Sequence, residues 1–195
     1  MKEMKCPAVF LDRDGTLNEE MGYINDLSRL RILPGVASAL KLLKNYGFKL
    51  IVISNQSGPA RGYFPKELVF KTNELLQKKL KKKGVFIDDF FICFHHPEEN
   101  CSCRKPKPGL VIQAIEKYSI DLKRSYLIGD KIIDIETAQN IGIKGILVLT
   151  GYGKGELKYV APKKGIIPYF VAKNLKEAAE FIIKDCFQGN ESPDS

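Results

Sequence analysis

Ala8-Val9-Phe10-Leu11-Asp12-Arg13-Asp14-Gly15-Thr16 passes directly from four apolar residues into two carboxylates and a glycine. A short apolar run bounded by turn formers reads as a buried strand. Asp12 and Asp14 then stand two residues apart at the strand exit, and Gly15 permits a sharp turn immediately after them. An aspartate after a strand is often only a turn or a helix cap. The pair therefore takes its meaning from what the rest of the chain brings beside it.

Outward from this stretch the pattern repeats. Apolar runs at residues 50–53, 90–94, 126–128 and 146–149 alternate with segments of helical spacing. Pro34-Gly35 opens a helix carrying Val36, Ala39, Leu40 and Leu43 and ending at Gly47. The next helix, about residues 65–83, turns Leu68, Thr72, Leu75, Leu76 and Leu80 inward. Pro108 suits the first turn of a third, with Leu110, Ala114, Ile115 and Tyr118. A fourth, residues 132–141, presents Ile135, Ala138 and Ile141 and stops at Gly142. A last apolar segment, residues 169–172, leads into a closing helix through Leu175, Ala178, Ala179 and Ile182. This alternation predicts the α/β class: a Rossmann-like, three-layer fold on a central parallel sheet of five or more strands.

The 195 residues, 44% hydrophobic and 28% charged, suit one domain and exclude a disordered chain. Residues 1–187 are expected to form that domain and the polar stretch 188–195 a flexible tail. Five cysteines, an odd number, do not build a disulfide scaffold and point to a reducing compartment. Residues 1–7 are followed by four apolar residues before Asp12, too few for a signal peptide. No apolar run approaches the ~20 residues that span a bilayer. A cytoplasmic protein without membrane partners is expected and, with no heptad pattern, a monomer. The net charge of +8 comes from 31 Lys and Arg against 23 Asp and Glu. Lys78, Lys79, Lys81, Lys82 and Lys83 supply five of the positive charges at one helix end, where they complement the macrodipole and face solvent.

Ligands of open α/β sheets bind outside the carboxyl ends of the strands. After the first run comes Asp12-Arg13-Asp14-Gly15-Thr16, and after the second Ser54-Asn55-Gln56-Ser57-Gly58. His95 and a cysteine-bearing loop follow the third, and Gly129-Asp130-Lys131 the fourth. Carboxylates, a hydroxyl and cations thus meet at one sheet edge. Asp12 and Asp14 with Asp130 suit Mg²⁺, which prefers a few carboxylates plus water and substrate phosphate. Ser54 and a nearby lysine or arginine suit the oxygens of a transferring phosphoryl group.

Cys93-Phe94-His95-His96-Pro97-Glu98-Glu99-Asn100-Cys101-Ser102-Cys103 holds three of the five cysteines and both histidines. Cys93, His95, Cys101 and Cys103 are the kinds of donor that Zn²⁺ prefers, and four protein ligands leave no open position, so a structural zinc is expected. A redox pair at Cys101 and Cys103 is the competing reading, against which stands the missing C-x-x-C spacing. His96, as the neighbour of His95, points elsewhere, and Cys6 and Cys186 fit simple burial. The loop runs into Arg104-Lys105-Pro106-Lys107-Pro108-Gly109, so zinc would fix the backbone that carries these cations. Arg104, Lys105, Lys107 and Lys131 together suit a substrate with two phosphates.

Asp12-Arg13-Asp14-Gly15-Thr16 resembles the first motif of the haloacid dehalogenase superfamily of phosphatases. Ser54 is similar to its second motif, Lys105 falls at its third, and Gly129-Asp130 with Asp134 resembles its acidic fourth. The resemblance, over residues 8–150, implies that Asp12 attacks phosphorus and forms an aspartyl-phosphate. It implies that Asp14 protonates the leaving alkoxide and then deprotonates water. Asp12, Asp130 and the backbone carbonyl of Asp14 would hold Mg²⁺, with Ser54, Arg104 and Lys105 on the phosphoryl group. Asp134 stays open between a partner of the site and a helix-start charge.

The zinc loop, the stretch Leu11-Asp12-Arg13-Asp14-Gly15-Thr16-Leu17-Asn18, and Asn55-Gln56-Ser57-Gly58 with Ala60-Arg61-Gly62 narrow the resemblance. They are similar to the heptose 1,7-bisphosphate 7-phosphatases and to the related histidinol-phosphate phosphatases. That likeness implies a capless fold and substrate held by Asp12, Arg13, Asp14, Glu20, Met21, Gly22, Tyr23, Ser54, Asn55, Gln56, Ser57, Arg104, Lys105 and Lys131. The implied activity is Mg²⁺-dependent removal of the 7-phosphate of D-glycero-D-manno-heptose 1,7-bisphosphate, in making nucleotide-activated heptose for lipopolysaccharide or surface glycans. A small phosphorylated sugar, not nucleic acid, is the implied partner, and histidinol phosphate is the rival substrate. Ser54 departs from the threonine more usual in the heptose enzymes and keeps the hydroxyl. From another class, a zinc-containing nucleic-acid-binding module would need stacking aromatics or a recognition helix beside the zinc, which Phe94 alone hardly supplies. A 3′-phosphatase of nucleic-acid ends lies between the two.

Overall fold

The computed structural model describes residues 5–188. Alternation inside β1 (Ala8–Leu11) sets up the layers: Val9 and Leu11 face one side of the sheet, Ala8 and Phe10 the other, and all are buried. With β2 (Lys49–Asn55), β3 (Asp89–Cys93), β4 (Tyr126–Gly129), β5 (Lys144–Val148) and β6 (Phe170–Ala172) it forms one parallel sheet, ordered β3-β2-β1-β4-β5-β6. The helices are α1 (Val36–Asn45), α2 (Lys66–Lys81), α3 (Gly109–Lys117), α4 (Ile132–Asn140), α5 (Gly153–Gly155), α6 (Ala161–Lys164) and α7 (Leu175–Gln188). Leu40 and Leu43 of α1, Leu76 and Leu80 of α2, and Ala178 and Ile182 of α7 cover the Val9 face. Leu110, Val111 and Ala114 of α3 and Ala138 of α4 cover the Phe10 face.

Strand order reverses at β1, with β2 and β3 on one side and β4 to β6 on the other. The carboxyl ends of β1 and β4 therefore border the crevice where ligands of such sheets bind. Between β1 and α1 lies a 3-10 turn, Leu27–Arg29, and among the described residues no cap domain is inserted there. No helix of the described residues is long and apolar enough to cross a membrane.

Several details depart from expectation. The buried face of α2 is Val69, Thr72, Asn73, Leu76 and Leu80, with Leu68 and Leu75 half-buried. A polar contact accompanies that rotation: Asn73 Oδ1 accepts from Arg13 Nη1 at 2.9 Å, which apolar periodicity does not reveal. Pro108 caps α3 rather than sitting in its first turn, and Tyr118 lies just past its end. Residues 153–164 wind through α5, a π-helical turn (Glu156–Val160) and α6, and Leu157 and Val160 pack beside Ile132 and Ile135 of α4. Cys6 and Cys186 are half-buried rather than buried. Helix α7 continues through Gln188, the first residue of the expected tail, and residues 189–195 lie outside the described residues. Lys78, Lys79, Lys81, Lys82 and Lys83 are all exposed, as a solvated helix end should be.

Candidate active site

The exit of β1 is wound into a tight turn. Leu17 N–H donates to Arg13 O at 2.8 Å and Gly15 N–H to Asn18 O at 2.7 Å. Gly15 has φ +82°, and a Cβ there would lie 2.1 Å from Asp130 Oδ2, so both backbone and space demand glycine. Gly151 comes as close, its Cβ position 2.2 Å from the same oxygen and 2.7 Å from Gly15 Cα. Tyr152 N–H donates to Asp130 Oδ2 at 2.8 Å, and Thr150 Oγ1 donates to Gly15 O at 2.6 Å. The loop after β5 thus clasps Asp130 against the Asp12–Asp14 turn.

Lys105 is buried at the centre. Its ammonium donates to Asp12 Oδ1 and Asp134 Oδ1, each at 2.6 Å, and to Ile53 O at 3.0 Å. Asn55 fastens the Lys105 backbone, donating through Nδ2 to Lys105 O and accepting from Lys105 N–H, both at 3.1 Å. Burial works against the ammonium, but Asp12 and Asp134 hold its pKa above the ordinary lysine value. Asp134 also accepts from Lys131 N–H at 3.2 Å in the first turn of α4, so it is both a partner of the site and a helix-start charge.

The carboxylates outnumber that cation. Oxygens of Asp12, Asp130 and Asp134 lie within 4.8 Å of one another. Burial, with Asp134 and Asp14 nearby, pushes Asp12 up to about 6 despite Lys105. Burial and the Asp12 charge push Asp130 up to about 8. Asp130 Oδ1 is buried with no hydrogen-bond partner. Clustered hard oxygen donors, one of them orphaned, fit a divalent cation such as Mg²⁺.

The Asp14 carboxylate points elsewhere. Arg13 Nε and Nη2 donate to its two oxygens at 3.1 and 2.7 Å, Asn18 Nδ2 adds a bond at 2.8 Å, and Gln56 Nε2 one at 2.7 Å. Burial raises its pKa, but the Arg13 charge and these bonds overrule it and leave the group below the usual carboxylate range. Of the expected substrate contacts, Asp12, Asp14, Glu20, Gly22, Tyr23, Ser54, Asn55, Gln56, Lys105 and Lys131 line one pocket, joined by Ile133 and Asp134. Arg13, Met21, Ser57 and Arg104 are not on its wall. Arg13 is buried beneath it, Met21 O accepts from Arg29 at 3.2 Å, Ser57 Oγ accepts from Arg61 at 3.4 Å, and Arg104 is half-buried with Nη1 unpartnered. Lys131 pairs with Glu20 at 3.2 Å, and Lys107 folds back onto Asn100 rather than joining the cations.

Cys93, His95, Cys101 and Cys103 converge from the end of β3 and the following loop. Cys93–Cys103 and His95 Nδ1–Cys103 stand at 3.2 Å, Cys93–Cys101, Cys93–His95 and Cys101–Cys103 at 3.6 Å, and all four ligand atoms lie within 4.8 Å of one another. Ligands on a tetrahedral zinc with Zn–S of ~2.3 Å would stand roughly 3.7 Å apart. Burial and the adjoining sulfurs push Cys103 up to about 12, so three thiols this close call for a cation if they are to ionise. The donor set fits zinc. His96 lies outside it, its Nδ1 accepting from Glu98 N–H at 3.4 Å.

Comparison with known proteins bears on these groupings. A family model described as HAD-hydrolase-like matches residues 102–178. The D-glycero-beta-D-manno-heptose-1,7-bisphosphate 7-phosphatase of Yersinia pestis is 43% identical over 154 residues, 74% of this chain and 81% of that protein. The protein of the same name from Helicobacter pylori is 40% identical over 176 residues, covering 90% and 96%. The chain belongs to the heptose-bisphosphate 7-phosphatase family. Within this haloacid dehalogenase-like family, the crystal structure of D,D-heptose 1,7-bisphosphate phosphatase from B. bronchiseptica, complexed with magnesium and phosphate, superposes with TM-score 0.84. It is 29% identical and covers 92% of this chain and 99% of that one. Family membership makes the chain a phosphatase.

Sequence reasoning missed Asn73, Ile133 and the clasp at Thr150, Gly151 and Tyr152. The clasp was within reach, because the rule that ligands gather after strand ends applies to the fifth run as it does to the first four. Asn73 gave no such signal, since it stands inside a helix far from any strand end.

Proposed function

We propose that this chain, acting as one domain over residues 1–187, hydrolyses the 7-phosphate of D-glycero-D-manno-heptose 1,7-bisphosphate. The observation that carries the reading is the buried Asp12–Lys105–Asp134 triad beside Asp130, opening on a polar pocket, in a chain that shares 43% identity with a phosphatase of that name. Mg²⁺, held by Asp12, Asp130 and the Asp14 backbone carbonyl, would screen the substrate phosphate from the attacking carboxylate.

Asp12 attacks phosphorus and becomes an aspartyl-phosphate as the sugar alkoxide departs. Lys105 and Ser54 steady the oxygens of the transferring group, Lys105 by charge and Ser54 through its hydroxyl. Asp14 supplies the proton taken by the alkoxide and later removes one from the water that releases phosphate. As its partners hold it, Asp14 is ionised, which is the form that accepts the proton from water. The anionic substrate arriving beside it favours the protonated form that the first step needs. Tyr23 and Ile133 supply non-charged surface for the sugar, while Glu20 and Lys131 stand at the pocket wall. Zinc at Cys93, His95, Cys101 and Cys103 is structural, stiffening the loop that leads into Arg104 and Lys105. A cytoplasmic, monomeric enzyme acting on a small phosphorylated sugar follows from the same reading.

The test is phosphate release with Mg²⁺ from both anomers of the heptose bisphosphate, from histidinol phosphate and from a 3′-phosphorylated oligonucleotide, with Asp12→Asn as the blank. Preference for a heptose anomer supports the proposal. Preference for histidinol phosphate moves the substrate and leaves the residue roles, and release that survives Asp12→Asn removes the covalent scheme.

A further inference from the structure

Arg13 is 1% exposed, a cation inside the protein, and its donors are divided between two acceptors. Nε and Nη2 form a fork onto Asp14, and Nη1 donates to Asn73 Oδ1 on α2 at 2.9 Å. A guanidinium is planar and stiff, so fixing one edge fixes the other. Asparagine is a poor choice for a helix interior, where its amide competes for the backbone. Asn73 nevertheless lies on the inward face of α2, 6% exposed, beside Val69, Thr72 and Leu76, and it is not on the wall of the pocket.

The amide suits this place chemically. As a neutral acceptor it satisfies Nη1 without competing for the charge that Arg13 offers Asp14. A carboxylate there would draw the guanidinium toward α2, and an aliphatic side chain would leave a buried donor without a partner. Each Asp14 oxygen receives two donors: Arg13 Nε and Asn18 on Oδ1, Arg13 Nη2 and Gln56 on Oδ2. Asn18 and Gln56 belong to loops of the pocket itself, so the Arg13–Asn73 contact is what ties this carboxylate to a helix.

We propose that Asn73 is a positioning residue for the phosphatase reaction: through the Arg13 guanidinium it fixes where the Asp14 carboxylate stands in the pocket. The proposal rests on the reading of Asp14 as the group that serves the leaving oxygen. Proton transfer is sensitive to distance, and a displacement of ~1 Å costs on the order of a hundredfold in rate. Asn73 thereby sets catalysis from outside the pocket.

Leaving-group dependence tests it. Sugar alkoxide needs a proton to depart, whereas p-nitrophenolate does not, so a fault in Asp14 placement lowers kcat/KM, which reports aspartyl-phosphate formation, for the first substrate selectively, while the later hydrolysis draws on Asp14 with either. Asn73→Leu, Asn73→Asp and Asn73→Ser are compared with Asp14→Asn on heptose 1,7-bisphosphate and p-nitrophenyl phosphate, with melting recorded for each. Asn73→Leu is expected to lower kcat/KM on the sugar roughly tenfold, with kcat/KM on the aryl ester within about twofold, and Asn73→Ser, which keeps an acceptor oxygen, to recover much of the loss. Asn73→Asp keeps the shape, serves if the leucine variant does not fold, and should show the same selective loss. Equal losses of kcat/KM on both substrates, or none, overturn the proposal while Asp14→Asn remains selective in kcat/KM. If Asp14→Asn itself is unselective, the reading of Asp14 fails and the proposal falls with it.

Discussion

The Lys105 ammonium meets Asp12 Oδ1 at 2.6 Å inside the protein, where Lys105 is 4% exposed and Asp12 7%. Breaking a buried ion pair by removing one partner strands the other charge. Lys105→Met keeps the length and removes the cation, so Asp12 and Asp134 lose the buried ammonium that bonds both. Stability should fall by about 3–5 kcal/mol, with part of the loss recovered by Mg²⁺, and turnover should fall by about two orders of magnitude. Calorimetry with and without Mg²⁺, beside steady-state kinetics, checks both; undiminished stability in the metal-free variant would show that the pair does not support the fold.

Gly151 faces Asp130 across a gap too small for a methyl group. Gly151→Ala would put a Cβ 2.2 Å from Asp130 Oδ2 at a residue with φ +53°, and the carboxylate must move. The Mg²⁺ concentration for half-maximal activity should rise at least about tenfold, as misplaced metal ligands commonly cost. Unchanged Mg²⁺ dependence in a folded variant would remove Asp130 from the ligand set.

Zinc analysis of the purified chain should find the metal, and Cys101→Ser should lose it. The variant is expected to be cut faster by protease between residues 94 and 108 and to lose about tenfold in activity, because the loop carrying Lys105 is no longer held. Retention of zinc by Cys101→Ser would show that the ligands are different ones.

Away from the site, Asp185 on α7 accepts from Tyr126 Oη and Lys144 Nζ, each at 2.6 Å, and from Tyr169 Oη at 2.8 Å. Burial would raise its pKa, but these donors hold it below the ordinary 3.8. A carboxyl depressed in the folded state binds fewer protons there than in the unfolded chain. Its stabilisation is complete above the unfolded value and is lost as pH falls through the folded one. Asp185→Asn should therefore lower stability by about 1 kcal/mol at pH 7, and the difference should vanish under strongly acid conditions. A deficit that persists unchanged there would mean packing, not charge, is what Asp185 contributes.

The layers and most of the site were legible in the sequence because short-range rules govern them. Apolar runs give buried strands, and polar residues after those runs give the crevice. What escaped depends on contacts between distant segments. The buried face of α2 includes Asn73, which meets Arg13 sixty residues away, and no periodicity encodes that partner. Arg104 and Lys107 share the basic stretch with Lys105, yet the chain aims only Lys105 at Asp12 and Asp134, and charge composition does not distinguish among the three.

The central place of β1 has a consequence for how activity arises during synthesis. Ala8 N–H donates to Ser125 Oγ across 117 residues, and Val9 pairs in register with Tyr126. Asp12 precedes Asp130 by 118 residues, so it is made well before the strand β4 that pairs with its own. Non-local pairing of this kind forms late in folding. A nascent chain consequently carries Asp12 without Asp130 beside it until β4 has closed against β1.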